Sequence, residues 1–184
     1  NIQKEDNLNT RFKPLSGPHS DAIFSVDDDM RVPCSDLETA YEVWRSSPFS
    51  LVGFMPRIHL RRGGKWEYRC WWRVWWHGEY SIILTKASIL HHHYFDLYTN
   101  EMPKEVLKLV KDSRNCEDIA MQFLISNHTG LPPIYVKGNL EDKGVLNGIS
   151  TKGNVTKAGH MHKRSNCLTD LEKIYKKMPL VKSH

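Results

Sequence analysis

Apolar residues fall along this chain in short runs divided by turn formers, and the first of them, Ala22-Ile23-Phe24-Ser25-Val26, ends abruptly in Asp27-Asp28-Asp29. An uninterrupted apolar run reads as a buried parallel strand, and ligands of open α/β sheets gather at the carboxyl ends of such strands. Three adjacent carboxylates repel one another, so a divalent cation or hydrogen-bond donors are expected beside them; an acidic surface turn is the alternative. Next, Leu37, Ala40, Tyr41 and Trp44 recur on one helical face behind a capping box of Ser35 and Glu38, predicting a helix from near Asp36 to Ser46-Ser47-Pro48. Leu51-Val52-Gly53-Phe54, Tyr80 to Leu84 and Ile134-Tyr135-Val136 read as short strands, and Ala87 to Tyr94 as helical. Further helices are predicted from Pro103 to Val110, from Arg114-Asn115-Cys116-Glu117-Asp118 onward with Ile119, Ala120, Phe123 and Leu124 inward, and from Leu168 to Lys177. Gly138 to Gly159, with Gly144, Gly148 and Gly153, has the composition of a mobile loop.

Several stretches carry candidate chemistry. Trp66 to Trp76 holds five of the six tryptophans, interleaved with Arg69 and Arg73; these rings could stack on nucleobases, on a sugar or lipid, or pack under a sheet. His91-His92-His93 on a helix would point in different directions, which makes a poor metal cage. Glu117 and Asp118 suit the dipole of a helix first turn, and Arg11 reads as a surface arginine or as a planar cation supporting a nucleotide or the acidic triplet. The basic and histidine groups from Gly159 to Cys167 could close over an anion.

Composition narrows this only a little. At 184 residues and 40% hydrophobic, the chain is one domain with a real core. A net charge of +5 and a pI near 9.0 favour anions without choosing nucleic acid over nucleotide sugars, phosphates or lipid headgroups. No segment approaches the roughly eighteen apolar residues of a membrane span, and the polar start is neither signal peptide nor anchor. The chain begins without methionine, as a trimmed or partial sequence would. Cys34, Cys70, Cys116 and Cys167 lack zinc-finger spacing, so any pairing is long-range. Sequons at Asn127 and Asn154 matter if the chain is secretory, as a glycoprotein would be.

Six ordered segments, Leu8-Asn9-Thr10-Arg11-Phe12, Val26-Asp27-Asp28-Asp29, Val52-Gly53-Phe54, Asn115-Cys116-Glu117-Asp118-Ile119-Ala120-Met121, Arg164-Ser165-Asn166-Cys167 and Met178-Pro179-Leu180, resemble the exostosin-like glycosyltransferases, the 64th family of that classification. The tryptophan-rich insert followed by Tyr80-Ser81 looks most like the plant branch, which includes enzymes acting on sphingolipid glycans. The resemblance implies an α/β chain of GT-A fold over residues 1–184, a mixed sheet flanked by helices, here short of its first βαβ portion. It implies retaining transfer of a hexose or N-acetylhexosamine from a UDP- or GDP-sugar to a glycan or glycolipid acceptor, with manganese or another divalent cation. Carried over by position, Asp29 is the metal ligand, Asp27, Asp28 and Arg11 bind the donor, and Asn115, Asp118 and Arg164 are active-site groups. Cys116 and Cys167 match the family's disulfide, which in turn implies the lumen of the Golgi or endoplasmic reticulum and an anchor outside this chain.

Front-face departure and a covalent intermediate at Asp118 both fit these residues. A competing reading is a non-catalytic or inactive partial GT-A domain that binds nucleotide sugar or a partner glycosyltransferase, in homo- or hetero-oligomers. A nucleic-acid binder leaves the acidic triplet unexplained, and no nucleic acid is expected as a partner.

Overall fold

A four-stranded mixed sheet forms the centre of the structure, a computed structural model that describes residues 7–14, 16, 20–144 and 157–184. A 3₁₀ turn at Leu8–Phe12 leads to β1 (Ala22–Val26), β2 (Met30–Arg31), α1 (Cys34–Ser46), β3 (Val52–Gly53), β4 (Pro56–Arg62), β5 (Lys65–Arg69) and α2 (Trp71–His77). There follow β6 (Ile82–Ile83), β7 (Ala87–His91), α3 (His93–Asn100), α4 (Lys104–Ser113), α5 (Glu117–Thr129), β8 (Ile134–Tyr135), β9 (Glu141–Asp142) and α6 (Lys157–Tyr175). The central order is β1-β7-β3-β8, with β7 antiparallel to both neighbours and β3 parallel to β8.

β7 occupies the stretch expected to be helical. Ala87, Ser88, Ile89 and Leu90 are buried between β1 and β3, so no polar residue marks a solvent face and the period of two disappears from the sequence. β1 differs from expectation too: among the described strands it lies at the sheet edge, antiparallel to β7. Its apolar run has another cause. Ile23 packs on one core and Ala22 and Phe24 on another, so both faces are partly covered.

The larger core surrounds α5, whose residues Asp118 through Ser126 are all buried, not just the one face predicted. Phe12, Tyr98, Val106, Leu168 and Leu171 close around it. The smaller core lies between α1 and the sheet, through Ala40, Trp44, Val52, Phe54, Ile89 and Val136. Gly53 permits β3 to lie close against β7: a Cβ there would meet the Ala87 carbonyl oxygen at 2.7 Å and the Ser88 Cβ at 2.8 Å.

Two helix starts move. α1 begins at Cys34 behind Pro33, without a side-chain cap, and Ser35 sits inside its first turn, where its carbonyl accepts from the Thr39 hydroxyl at 2.9 Å. α6 begins well before Leu168, so Arg164 and Cys167 are helical residues. Residues 145–156, with much of the glycine-rich stretch and the Asn154 sequon, lie outside the described residues. No helix among the described residues is long and apolar enough to cross a membrane.

Candidate active site

The site is assembled from the end of β1, the start of α5 and the interior of α6. In the 3₁₀ turn, Asn9 donates to the Leu107 carbonyl at 2.8 Å and accepts from the Tyr98 hydroxyl at 2.8 Å, while Phe12 is fully buried against Phe95 and Tyr98. These two anchors fix the turn and aim Arg11 at the end of β1. Arg11 pairs with Asp27, donates to the Ser25 hydroxyl at 3.0 Å and to the Thr85 carbonyl at 2.8 Å. Arg11, Asp27 and Asp28 line one open cleft of about 510 Å³ with Phe24 and Phe95.

Asp29 turns away from that cleft. The Asp27 carbonyl accepts from the Met30 amide, closing a turn, and the Asp29 carbonyl accepts from the Lys143 amide at 2.9 Å, beside the β2–β9 pair. The Oδ1 of Asp29 is buried and has no hydrogen-bond partner among the described residues. A Cβ at Gly144 would collide with the same carboxylate and force it to shift. Asp142 lies alongside but is already engaged, accepting from Lys86 Nζ at 2.7 Å and from the Gly144 amide at 3.1 Å.

The third group joins α5 to α6. Arg164, Cys167, Leu168 and Leu171 follow the three-and-four spacing of one helix face, so the arginine sits on the stripe that packs inward. Cys167 is bonded to Cys116, with Cα atoms 6.3 Å apart. One turn away, Arg164 Nη1 donates to Asp118 Oδ2 at 2.8 Å and to the Tyr68 hydroxyl at 2.8 Å, its guanidinium 5.1 Å from the Tyr68 ring centre. The other Asp118 oxygen accepts from the Ile119 amide at 2.8 Å. Asn115 stands between two residues in left-handed conformation, Arg114 (φ 48°) and Cys116 (φ 76°). Its oxygen accepts from the Cys116 amide at 2.8 Å and its amide nitrogen lies 3.3 Å from His160 Nδ1, which as acceptor places the His160 proton on Nε2.

The charges of this group act on one another. Burial works against the Arg164 charge, but Asp118, with Tyr68 and Glu117 behind it, overrides burial and holds the guanidinium ionised above its ordinary range. Burial, then the neighbouring Asp118, pushes the Glu117 carboxyl up to about 7, against the pull of Arg164 and Arg11. Glu117 Oε2 is itself buried without a partner among the described residues. Burial and the Arg164 charge both lower His160, and burial raises the Tyr68 phenol against the pull of Arg164 and Arg57. Arg57 and Arg11 are thus felt here from two sides.

Of the residues singled out in the sequence, Asn115, Asp118 and Arg164 come together, and Arg11, Asp27 and Asp28 share a cleft. The acidic triplet does not converge on one point. Among the described residues, the one group of three histidine, cysteine or acidic side chains with ligand atoms within 4.8 Å of one another is Asp21, His91 and His92. Sequence reading treated Glu117 as a helix-dipole residue, placed His160 only among the groups that could close over an anion, and left Tyr68 and Arg57 unassigned. The pairing of Glu117 with Asp118 in one buried helix turn was the available signal.

The chain belongs to glycosyl transferase family 64, whose domain model matches residues 1–184. It is 44% identical over 185 residues to glycosylinositol phosphorylceramide mannosyl transferase 1 of Arabidopsis thaliana, covering 98% of this chain and 54% of that protein. It is 36% identical over 183 residues to exostosin-2 of Mus musculus and 35% identical over 179 residues to exostosin-1 of Drosophila melanogaster. Each of these matches takes in 96% of this chain, and they cover 24% and 23% of the respective relatives. The chain therefore spans about half the length of the plant relative and about a quarter of the exostosins.

Proposed function

We propose that this chain performs the transfer step of a retaining hexosyltransferase, moving mannose from a nucleotide-diphosphate sugar to an inositol phosphorylceramide glycan. The plant relative supports this choice of sugar and acceptor over the N-acetylhexosamine alternative. The observation that carries the chemistry is the buried Arg164, held charged by Asp118 at 2.8 Å where α5 and α6 are joined by the disulfide. A fixed, permanently charged guanidinium in a low-dielectric site suits a leaving diphosphate, whose charge grows as the bond to sugar C1 breaks.

In the reaction, the bond between C1 and the diphosphate oxygen breaks and its electron pair leaves on phosphate. The acceptor hydroxyl oxygen forms the new bond to C1, and its proton passes to the departing phosphate oxygen on the same face. Both Asp118 oxygens are already engaged, one by Arg164 and one by the Ile119 amide. Attack by Asp118 on C1 would first break a buried ion pair, so front-face departure is the route we favour, with Asp118 as the positioning partner of Arg164. Arg11 organises the cleft beside the donor through Asp27, and Asp28 lines it.

The family resemblance brings manganese or another divalent cation, and Asp29 fits one: it offers a buried oxygen without a hydrogen-bond partner among the described residues, on a carboxylate that lies against Gly144. Asp29 would hold the cation, which would neutralise diphosphate charge as a Lewis acid. The disulfide accords with an oxidising lumen such as the Golgi or endoplasmic reticulum.

The test is nucleotide release from GDP-mannose with an inositol phosphorylceramide glycan as acceptor, in manganese and in chelator. Manganese-dependent release that requires the acceptor, with retained configuration in the product, is expected. Binding of GDP-mannose without release would assign the chain to a non-catalytic nucleotide-sugar module, and absence of binding would overturn both readings.

A further inference from the structure

α2 carries four of the chain's six tryptophans on the outside of the molecule: Trp71 is 66% exposed, Trp72 45%, Trp75 78% and Trp76 72%. The pattern explains why they do not fold inward. At roughly 100° per residue, the four indoles occupy about 140° of the helix circumference. Val74 lies outside that arc, and this half-buried residue packs on the larger core. Arg73 lies beyond the other edge, its guanidinium 4.2 Å from the Trp72 ring centre. The helix is held in place by β4, against which it packs, and by Gly78 in left-handed conformation (φ 66°) at its end. Among the described residues, none covers the tryptophan face enough to bury these four rings.

The charge of the protein is concentrated in the same stretch of sequence. Between Arg57 and His77 stand six arginines and lysines and one acid, a net of five, which equals the +5 of the whole chain. The one acid, Glu67, is itself paired with Arg69 at 2.8 Å. Arg61, Arg62 and Lys65 are exposed at the tip of the β4–β5 hairpin, where Gly63 (φ 55°) and Gly64 (φ 78°) make the reversal.

We propose that α2 and the basic hairpin tip form a docking face for a lipid bilayer with anionic headgroups. Indole rings have an apolar body and one N–H donor, the combination that settles at the headgroup boundary, while arginine and lysine meet lipid phosphate. A seven-residue helix is about 10 Å long, small for a stable protein interface of about 800 Å² a side. It is long enough to seat four indoles at one depth. Charge complementarity chooses the partner: a basic face without an unpaired acid suits an anionic surface. The inference is independent of which sugar is transferred, and it would bring the site to the layer in which a lipid acceptor lies.

The test is vesicle flotation of the chain without donor sugar, so its outcome is separate from that of the transfer assay. Vesicles of two parts phosphatidylcholine to one part phosphatidylinositol should carry the protein upward, and phosphatidylcholine alone should carry much less. The Trp75→Ala/Trp76→Ala variant should lose about tenfold or more in partitioning, with unchanged circular dichroism and thermal unfolding. Arg62→Ser/Lys65→Ser should lose about thirtyfold on anionic vesicles and little on neutral ones. Absence of flotation, or flotation of the tryptophan variant at the level of the unaltered chain, would overturn the proposal. A lipid-free dimer in sedimentation that the tryptophan variant abolishes would overturn it too, assigning the face to a second copy of the chain.

Discussion

Removing the charge of Asp118 tests whether the site is built on its ion pair with Arg164. Asp118→Asn keeps the shape and the oxygen that caps the Ile119 amide, but leaves Arg164, 8% exposed, without its counter-charge. Breaking one side of a buried pair ordinarily costs about 3–5 kcal/mol. Glu117 softens the loss, because without Asp118 its repulsion disappears and it can ionise beside Arg164; about 2–3 kcal/mol remains. Arg164→Met should cost about 4 kcal/mol, since Asp118 then has no cation and Tyr68 loses its donor. The double variant should cost little more than either single one, a coupling of about 2–3 kcal/mol. Urea unfolding at neutral pH with the disulfide intact measures all four proteins, and unchanged m-values validate the comparison. Glu117 adds a second readout. In the folded chain its carboxyl keeps a proton up to about 7, against a value of 4.5 without the fold, so unfolding releases a proton between those limits. Stability therefore falls as pH rises from 4.5 to 7, and this slope should flatten in Asp118→Asn. Additive single costs within about 0.5 kcal/mol, with an unchanged slope, would refute the argument.

Other perturbations reach the rest of the chain. His59 is buried, its Nδ1 2.7 Å from the Ser81 hydroxyl, and burial, with Lys182, lowers it from 6.5 to about 4 against the pull of Glu79. The unfolded chain takes up that proton first, so stability should fall by about 3 kcal/mol as pH drops from 6.5 to about 4. His59→Gln should flatten this limb in urea titrations; an acid limb of unchanged depth would count against it. Asp29→Ala should abolish manganese-dependent nucleotide-sugar binding in calorimetry, and Gly144→Ala should weaken it by crowding the same carboxylate; full affinity in both would remove Asp29 from the metal site. Cys116→Ser/Cys167→Ser opens a loop of 51 residues and should cost about 4 kcal/mol in the chain-entropy model. A change below about 1 kcal/mol by the same measure would show that the helices are positioned without the bond.

What could be read from the sequence depended on whether one face of an element met solvent. α4 shows its amphipathic stripe and was legible within a few residues. β7 is covered on both sides, so its Ala-Ser-Ile-Leu run had no period to betray it and looked helical. α5 was found by the spacing of Ile119, Ala120, Phe123 and Leu124, but that one-sided stripe hid the burial of every residue from Asp118 to Ser126. Exposure was hidden for the opposite reason: Trp71, Trp72, Trp75 and Trp76 have the composition of a core, and only their placement on a helix packed on one side reveals the outward face. In the site, Asn115, Asp118 and Arg164 were legible from motif order. The contacts of Tyr68 with Arg164 and of His160 with Asn115 were not, because they arise where β5 and the start of α5 meet α6 in space, which no local pattern encodes.

The arrangement also explains how a strained segment can be kept at the centre of the site. Arg114 and Cys116 both hold left-handed backbone without being glycine, at a cost of order 1 kcal/mol or more each. That geometry turns the chain sharply between α4 and α5 and leaves Asn115 facing His160 across the gap. A free chain would relax it. Here Cys116 is bonded to Cys167, and the next turn of α6 carries Arg164 to Asp118, so a covalent link and a buried ion pair clamp the same helix end. His160 lies one further turn back along α6, which makes the positions of Asn115, Asp118, Arg164 and His160 a single rigid relation between two helices. The ordering of these groups is met during folding, so in the proposed reaction a diphosphate beside Arg164 would not have to supply it, and more of its interaction would be left for the moment at which the C1 bond breaks.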